Sequence, residues 1–236
     1  MKYQWNYQPP TDEDKACAEK LAGEVNVNVA IAQMLVARGV RTQEQVRAYF
    51  RPQLLDLHDP YLMKDMDRAV ERLNEAMGQR ERIMIYGDYD VDGCTAVALV
   101  YRLLIQYYSN LECYIPDRSD EGYGVSVKGV DYAASQGVKL IIVLDCGIKA
   151  TEEVKYAKEK GIDFIICDHH VPDDELPPAV AILNAKRVDN TYPYQELSGC
   201  GVGFKLMQAF AMSNGIPFSQ LIPLLDLCAI SIASDI

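Results

Sequence analysis

Three acidic clusters in the sequence carry residue types that bind divalent metal ions. The clusters are Asp88-Tyr89-Asp90-Val91-Asp92-Gly93, the single Asp145, and Asp168-His169-His170. Carboxylate and neutral imidazole together are favoured ligands for transition metals such as manganese, zinc or iron. Aspartates with one or two histidines and no thiolate suit a binuclear site for phosphoryl chemistry. In such a site two ions about 3.5–4 Å apart hold a hydroxide and the scissile phosphate.

The first cluster has other interpretations. In an extended segment Asp88, Asp90 and Asp92 point the same way and converge, which is unfavourable unless a cation neutralises them. The pattern D-x-D-x-D-G also begins an EF-hand. That loop requires glutamate at its twelfth position, where this chain has Leu99, and an apolar strand precedes the cluster where a helix is needed. An acidic turn is the remaining alternative to a metal site.

The other two clusters are less specific when taken singly. An aspartate after a strand, such as Asp145, is also a common turn former or helix cap. Adjacent histidines in an extended segment face opposite ways, so we expect one of His169 and His170 to bind metal and the other to face substrate. The third histidine of the chain, His58, is interpreted as structural.

From Gln79 onward, short apolar runs alternate with helical stretches. Runs that are apolar at nearly every position suit parallel strands covered on both faces. The alternation predicts an α/β fold with a doubly wound, largely parallel sheet. Ligands bind such sheets beyond the carboxyl ends of the strands, where all three clusters fall, and Asp145 between the other two is the natural bridging carboxylate. The predicted strands are RIMIYG, LECYIP, KLIIVLD, DFIICD and AVAILN.

A helical segment precedes the sheet. We expect residues 1–78 to form a helical N-terminal region that packs on the core, and residues 79–236 to form the α/β domain. Thr42 and Asp65 suit helix N-caps, and Gly39 suits a helix stop. The chain stops at IASDI inside an apolar segment, so we expect a fragment of a longer protein.

Composition restricts the class of protein. The 236 residues are 49% hydrophobic, enough for a real core. No apolar run is long enough for a membrane span and the start lacks a signal-peptide pattern, so we expect a cytoplasmic protein without membrane contact. Seven dispersed cysteines without a C-x-x-C pair favour reduced thiols. The net charge of −11 is unusual for a nucleic-acid binder, although two divalent cations, with four positive charges, would bring it to −7.

Four motifs resemble the signature motifs of the DHH phosphoesterases: DYDVDG, LDCG, DHH and the terminal ASD. That family includes single-strand-specific DNA exonucleases, oligonucleotide and cyclic-dinucleotide phosphodiesterases, and a class of inorganic pyrophosphatases. Outside the motifs, ARGVRTQEQVRAYFRP, LHDPYLMKDMDRAVERL, EGYGVS and SGCGVGFKL are similar to the exonucleases. The resemblance implies a 5′→3′ exonuclease for single-stranded DNA in repair and recombination, with two Mn²⁺ or Mg²⁺ ions per site.

The resemblance also implies a role for each matching residue. Asp90 would bind one metal and Asp92 the other, Asp145 would bridge, and His169 and Asp235 would complete the second site. Two further residues are the catalytic candidates. Asp88 resembles an outer or water-mediated ligand. His170 resembles the residue that contacts the substrate phosphate, with an outer hydrogen-bonding histidine as the alternative.

Weaker signals predict the substrate contacts. Arg118 could reach a phosphate with its forked donors, or form a surface ion pair with a neighbouring acidic residue, Asp120 or Glu121. The segment Gly122-Tyr123-Gly124 either approaches a ligand closely or forms a turn. Ser198-Gly199-Cys200-Gly201 leads into a helix with Lys205 one turn inside. Its N–H groups either bind phosphate or belong to an ordinary helix start.

The resemblance implies a longer architecture, in which a second α/β domain and an oligonucleotide-binding domain follow the DHH domain. We therefore expect this chain to bind metals but to have weak or no processive nuclease activity. Expected partners are single-stranded DNA, those C-terminal domains, and a single-strand-binding protein or helicase. Competing functions are a small-molecule phosphodiesterase, a pyrophosphatase and a non-catalytic interaction module. The helical segment argues against the pyrophosphatase class.

Overall fold

The computed structural model of the chain describes residues 9–235, and it divides after His58 into two compact units. The sequence predicts a boundary after Gly78. The division falls earlier because the helix that ends at Gly78 packs against the sheet. Within the described range, no helix has the length and apolar character that a membrane crossing requires.

Within residues 9–58 the first unit contains three α-helices, α1 (Asp12–Val25), α2 (Val29–Ala37) and α3 (Gln43–Phe50). Each begins after a side chain that accepts a backbone N–H, namely Thr11, Asn28 or Thr42. The predicted Thr42 cap is confirmed, and Gln45 completes a capping box with it. The three helices bury a small apolar cluster, consisting of Ala18, Leu21, Ala22, Ala32, Leu35, Val36, Val40 and Val46.

The second unit is built on a five-stranded sheet with the order β2-β1-β3-β4-β5. Its strands are β1 (Arg82–Gly87), β2 (Leu111–Tyr114), β3 (Val138–Leu144), β4 (Asp163–Cys167) and β5 (Ala181–Leu183). Every neighbouring pair is parallel, which confirms the predicted sheet and its fifth strand in AVAILN. Because β3 lies between β1 and β4, the acidic clusters that follow these three strands meet at one edge.

Helices cover both faces of the sheet, so the predicted doubly wound class is confirmed. On one face lie α4 (Met66–Gly78), α5 (Val91–Leu104) and α8 (Gly199–Ser213). On the other lie α6 (Val127–Ser135) and α7 (Thr151–Glu159). β1, β3 and β4 are buried at nearly every position, as central strands between two helical layers must be.

The last helix is shorter than the sequence predicts. SQLIPLLDLCAISIA is expected to be one helix, but two single 3-10 turns, Phe218–Gln220 and Ile222–Leu224, come first. Pro223 has no N–H to donate, so the regular helix begins after it. This helix, α9 (Leu225–Ser234), packs on α5 and α8 and ends next to Asp235.

Asp65 occupies the predicted N-cap position of α4 but does not cap it with its side chain. Its backbone is left-handed, with φ of +65°. Its carboxylate instead accepts a hydrogen bond of 2.7 Å from the buried guanidinium of Arg187. A buried positive charge requires a partner, and that requirement outweighs the cap.

Candidate metal centre

The first acidic cluster lies in the turn from β1 to α5. Asp88 follows the strand and is buried, and its Oδ1 has no hydrogen-bond partner. Burial, and then the nearby charge of Asp90, raises the pKa of Asp88. A Cβ added to Gly93 would come within 2.4 Å of the Asp88 carbonyl oxygen. Glycine therefore lets the helix begin directly against the end of the strand.

The three aspartates of this cluster do not converge as an extended segment would require. α5 begins at Val91, so the extended alternation ends at Asp90. Asp90 is the exposed N-cap, and its carboxylate accepts a hydrogen bond of 2.9 Å from the Gly93 N–H. Asp92 lies in the first helical turn and is only 3% exposed.

Three hydrogen bonds from the C-terminal helices hold the carboxylate of Asp92. The N–H groups of Gly199 and Cys200 donate to it over 2.6 and 2.7 Å, and the hydroxyl of Ser231 donates over 2.8 Å. The carboxylate therefore lies at the N-terminus of α8, where free N–H groups and the helix dipole favour a negative charge. These N–H groups already have an acceptor, so they are not free for a substrate phosphate.

Asp145 follows β3 with φ of +62°, a conformation that aspartate and asparagine adopt more readily than other side chains. Its side chain is buried and its Oδ1 accepts no hydrogen bond. Burial, and then the charge of Asp92, raises the pKa of Asp145 to about 10. A Cβ at Gly199 would lie 2.5 Å from Oδ1, so this glycine also makes room for the carboxylate. A buried carboxylate without a donor requires a proton or a cation.

Asp168 organises the third cluster. Its Oδ1 accepts hydrogen bonds from the backbone N–H groups of His169 and His170 and from Nδ1 of His170, while Oδ2 accepts from Ile148. Burial alone would raise the pKa of Asp168, but the hydrogen bonds outweigh it and lower the pKa. The bond to Asp168 raises the pKa of His170 in turn. Asp168 therefore orients the two histidines.

The two histidine rings do not face opposite ways, so that expectation is wrong. Their centroids lie 4.5 Å apart, because the chain turns around Asp168 and is not extended there. His169 lies among three carboxylates. Its Nε2 is 3.2 Å from Oδ1 of Asp145 and 3.8 Å from Oδ2 of Asp92, and its Nδ1 is 3.6 Å from Oδ2 of Asp235.

Two overlapping sets of ligand atoms result, and His169 belongs to both. One set is Asp145, His169 and His170, and the other is Asp92, His169 and Asp235. In each set the ligand atoms lie within 4.8 Å of one another. Four of the five predicted ligands are therefore brought together. The exception is Asp90, which belongs to neither set within residues 9–235 and whose carboxylate caps α5.

The donor chemistry of these residues fits a divalent cation. Carboxylates with imidazole suit manganese, iron or zinc, and carboxylates with water suit magnesium. Oδ1 of Asp88 and Oδ1 of Asp145 are buried acceptors that make no hydrogen bond with the described residues, although Nε2 of His169 lies 3.2 Å from the latter. Such orphaned oxygens are rare in folded proteins, and a bound cation would satisfy both.

An aromatic rim borders the centre beside His170. The hydroxyl of Tyr123 lies 3.3 Å from Nε2 of His170, and its ring meets that of Tyr89 edge to face. The guanidinium of Arg118 lies over the Tyr89 ring, 5.2 Å from its centroid, in a cation–π contact. The acidic neighbours of Arg118 have other partners, so the alternative surface ion pair is not formed.

Gly122 and Gly124 flank Tyr123 and both have φ of +82°, so this segment is a turn. The Tyr86 hydroxyl fixes the turn by donating a hydrogen bond of 2.9 Å to the Gly124 carbonyl. The turn interpretation therefore holds, and the turn also carries Tyr123 to the rim.

Two predicted substrate residues lie away from the rim. Ser198 is buried, and its hydroxyl caps α8 and contacts the hydroxyl of Ser231 at 2.5 Å. Lys205 is also buried, and its ammonium donates to Gln208 over 2.9 Å and lies 5.9 Å from the centroid of the Tyr192 ring. The structure therefore does not bring the ammonium of Lys205 to the metal centre.

Sequence reasoning missed Ser231 and Tyr89. Ser231 precedes Asp235 by one helical turn, and that i, i+4 spacing was its only signal in the sequence. Tyr89 lies inside the first acidic cluster between two aspartates, whose spacing indicates metal binding and gives no sign of a role for the ring. Its position on the rim depends on the turn from β1 to α5.

These features define a doubly wound α/β protein with a carboxylate–histidine cluster, a candidate metal centre, at the carboxyl edge of its sheet. The DHH family, N-terminal domain, matches residues 82–232, and the chain belongs to the DHH family.

Comparison with known proteins gives the same result. The chain is 41% identical over 235 residues to the single-stranded-DNA-specific exonuclease RecJ of Bacillus subtilis (strain 168), an alignment that covers 100% of this chain and 29% of that protein. The chain thus spans less than a third of that relative's length.

Two solved structures also resemble the chain. The crystal structure of exonuclease RecJ bound to manganese matches with a TM-score of 0.66 and 32% identity, covering 74% of this chain and 44% of that one. RecJ in complex with Mn²⁺ from Thermus thermophilus matches with a TM-score of 0.74 and 27% identity, covering 93% and 30%.

Proposed function

We propose that this chain hydrolyses phosphodiester bonds of single-stranded DNA from the 5′ end, in DNA repair and recombination. The observation that carries the proposal is the pair of overlapping ligand sets that share His169, one of which includes the buried Oδ1 of Asp145, an oxygen that accepts no hydrogen bond. Similarity along the whole chain to a single-stranded-DNA-specific exonuclease supports this choice of substrate.

The proposed cofactors are two Mn²⁺ or Mg²⁺ ions per site. When bound, such ions supply a hydroxide at neutral pH and neutralise charge on the phosphate. Asp92, His169 and Asp235 would hold one ion, Asp145 would bridge, and Asp90 would serve the other. The similarity to a RecJ exonuclease that was crystallised with manganese supports this choice.

His170 is the proposed contact to the substrate phosphate. Its side chain is 44% exposed, Asp168 holds its Nδ1 at 2.7 Å, and its Nε2 lies at the rim, 3.3 Å from the Tyr123 hydroxyl. A donor fixed in this way stabilises charge on a phosphate oxygen without having to reorient. Buried Asp88 would act through water as an outer ligand.

The rim favours a single strand over a duplex. Tyr89 and Tyr123 offer ring faces on which unpaired bases can stack, and the guanidinium of Arg118 can bind phosphate. The turn at Gly122 and Gly124 lets the protein backbone approach the DNA strand closely. The chain has a net charge of −11, which does not favour DNA binding, and the aligned exonuclease is longer. We therefore propose that the additional domains of such a longer protein hold much of the DNA strand.

We also propose partners and a location. A nuclease for single strands depends on processes that expose them, so a helicase or a single-strand-binding protein is the proposed protein partner. A cytoplasmic location agrees with seven cysteines that are all free thiols.

A cleavage assay with excess enzyme tests the proposal, because a single turnover reveals weak activity. End-labelled single-stranded DNA, duplex DNA, a dinucleotide and pyrophosphate are compared in Mn²⁺. We expect mononucleotides from the 5′ end of single strands. Asp145→Asn should abolish their release, and Asp174→Asn, which removes an exposed carboxylate outside the ligand sets, should not.

Other outcomes separate the competing functions. Preferred cleavage of the dinucleotide or pyrophosphate would retain the metal centre and reject DNA as the substrate. Absence of both cleavage and Mn²⁺ binding would favour a non-catalytic module.

A further inference from the structure

A cavity of about 440 Å³ opens beside His170, on the side of the sheet that carries α6 and α7. Two loops form it, the one before α6 at Gly124 and Val125 and the one before α7 at Gly147 and Ile148. The volume lies within the range of small-molecule sites and accommodates one nucleoside. Since His170 lines the cavity and also borders the metal centre, a group bound at the centre can extend into it.

The walls of the cavity suit a flat, largely apolar group. Val125, Ile148 and Ala150 provide aliphatic side chains. Gly124 and Gly147 have φ of +82° and +99°, where a side chain would be strained, so backbone alone forms part of the wall. Such a lining leaves space for a ring and gives it van der Waals contact.

The charged groups of the cavity favour a hydrogen-bond donor over a phosphate. Glu153 lines it, is partly buried, and its carboxylate makes no hydrogen bond or ion pair within residues 9–235. Asp168 is also acidic, and its two oxygens already accept four hydrogen bonds. The cation Lys149 pairs with Asp173 at 3.0 Å. The Glu153 carboxylate is therefore a charged acceptor of the cavity without a partner among the described residues, and it repels phosphate and attracts N–H groups.

We propose that this cavity binds the nucleobase of the nucleotide whose phosphate lies at His170, and that Glu153 selects bases with an exocyclic amino group. The inference rests on the proposed function and adds a specificity-determining residue to it. Adenine, cytosine and guanine carry an amino donor for the carboxylate. Thymine and uracil present a carbonyl oxygen in the same place as the cytosine amino group.

Direct binding tests the inference with an isosteric pair of ligands. Affinities of the Mn²⁺-loaded chain for dCMP and dUMP are measured by calorimetry. The two bases differ at C4, where cytosine has an amino group and uracil an oxygen, and at the adjacent N3, which accepts in cytosine and donates in uracil. We expect dCMP to bind about tenfold more tightly, the value of one hydrogen bond to a charged group. Glu153→Gln should reduce that ratio to near one, because an amide can donate to the oxygen or accept from the amino group.

Glu152→Gln is the matched control. Glu152 lies next to Glu153 in the first turn of α7, is exposed, and pairs with Lys155. If Glu153 served only the helix dipole, both substitutions would lower stability alike and neither would change the ratio. Ala150→Leu, which fills the cavity, should lower the affinity for both nucleotides. The Mn²⁺ affinity, measured by electron paramagnetic resonance, should stay the same.

The outcomes are distinct from those of the nuclease assay. Equal affinities for dCMP and dUMP in the wild type, no binding of either, or an unchanged ratio in Glu153→Gln would each overturn the inference. If single strands are still cleaved, the proposed function survives that result. A clear preference for dCMP without DNA cleavage would support the cavity and reject the exonuclease.

Discussion

Asp92 on α5 and Ser231 on α9 are joined by a buried hydrogen bond of 2.8 Å. The Ser231 hydroxyl and the N–H groups of Gly199 and Cys200 together occupy three of the roughly four acceptor positions of the Asp92 carboxylate. The remaining position is on Oδ2, which lies 3.8 Å from Nε2 of His169. The hydrogen bonds thus leave one oxygen of Asp92 open to the proposed ion.

Removal of the Ser231 hydroxyl should weaken metal binding. Ser231→Ala takes away a donor that orients Asp92 and ties α9, which leads to Asp235, to the centre. Loss of such an outer contact typically lowers metal affinity about 10- to 100-fold. Mn²⁺ titration followed by electron paramagnetic resonance measures the change. Ser234→Ala is the control, because that hydroxyl bonds only to carbonyls of its own helix, and equal affinities of the two variants would contradict the prediction.

Asp145→Asn should stabilise the metal-free chain. The pKa of Asp145 rises from an ordinary 3.8 to about 10 on folding, so the folded state keeps a proton that the unfolded state loses. The stability of the metal-free wild type therefore falls as pH rises from about 4 to about 10. Asparagine has no such proton and tolerates φ of +62° equally well.

Urea unfolding in chelator at pH 5, 7 and 9 measures the effect of this substitution. The gain in free energy of unfolding should grow with pH and reach the order of 2–4 kcal/mol near pH 8. Added Mn²⁺ should stabilise the wild type alone. A gain that shrinks with rising pH would be incompatible with a protonated Asp145.

His170→Ala should slow cleavage without loss of metal. If the ring contacts the phosphate, the single-turnover rate should fall about 100-fold or more, the usual effect of losing one stabilising donor. Mn²⁺ affinity should stay the same, and His58→Ala in the first unit should leave the rate unchanged. A parallel loss of Mn²⁺ would instead make His170 a ligand, since it belongs to one of the two sets.

Gly199→Ala should destabilise the fold. The new Cβ would lie 2.5 Å from Cβ and Oδ1 of Asp145 and 2.7 Å from its Cα, which is too close for either residue to remain in place. We expect a loss of about 2–3 kcal/mol in urea unfolding, typical of overpacking. Gly201→Ala in the same helical turn meets nothing closer than 3.5 Å and should cost nothing. Equal stabilities for the two variants would contradict the prediction and show that the backbone around Gly199 shifts at little cost.

The fold class was accessible from the sequence because the type of each element depends on local patterns. KLIIVLD and DFIICD are apolar at nearly every position, and that pattern alone indicates strands with a helical layer on each side. The three acidic clusters follow β1, β3 and β4, and neighbouring parallel strands end at one edge, so their meeting could be foreseen.

The detailed roles of the aspartates could not be read from spacing. Asp90 and Asp92 are two residues apart, yet one caps α5 in solvent and the other lies on the N-terminus of α8. That difference depends on where α5 begins and on a helix that follows more than a hundred residues later. The two histidine rings depart from the predicted opposite orientation for a related reason, since the hydrogen bonds of Asp168 curve the chain after β4.

The bond between Asp92 and Ser231 spans 139 residues, so the centre depends on contacts of long range. Loops of that length close late in folding, because their entropy must be lost before the contact forms. On a ribosome, a nascent chain would display the strands and Asp145 well before α9 emerges. If Asp92 and Asp235 hold an ion as proposed, full metal affinity is acquired only when α9 docks, and a bound ion then reports that α9 has folded.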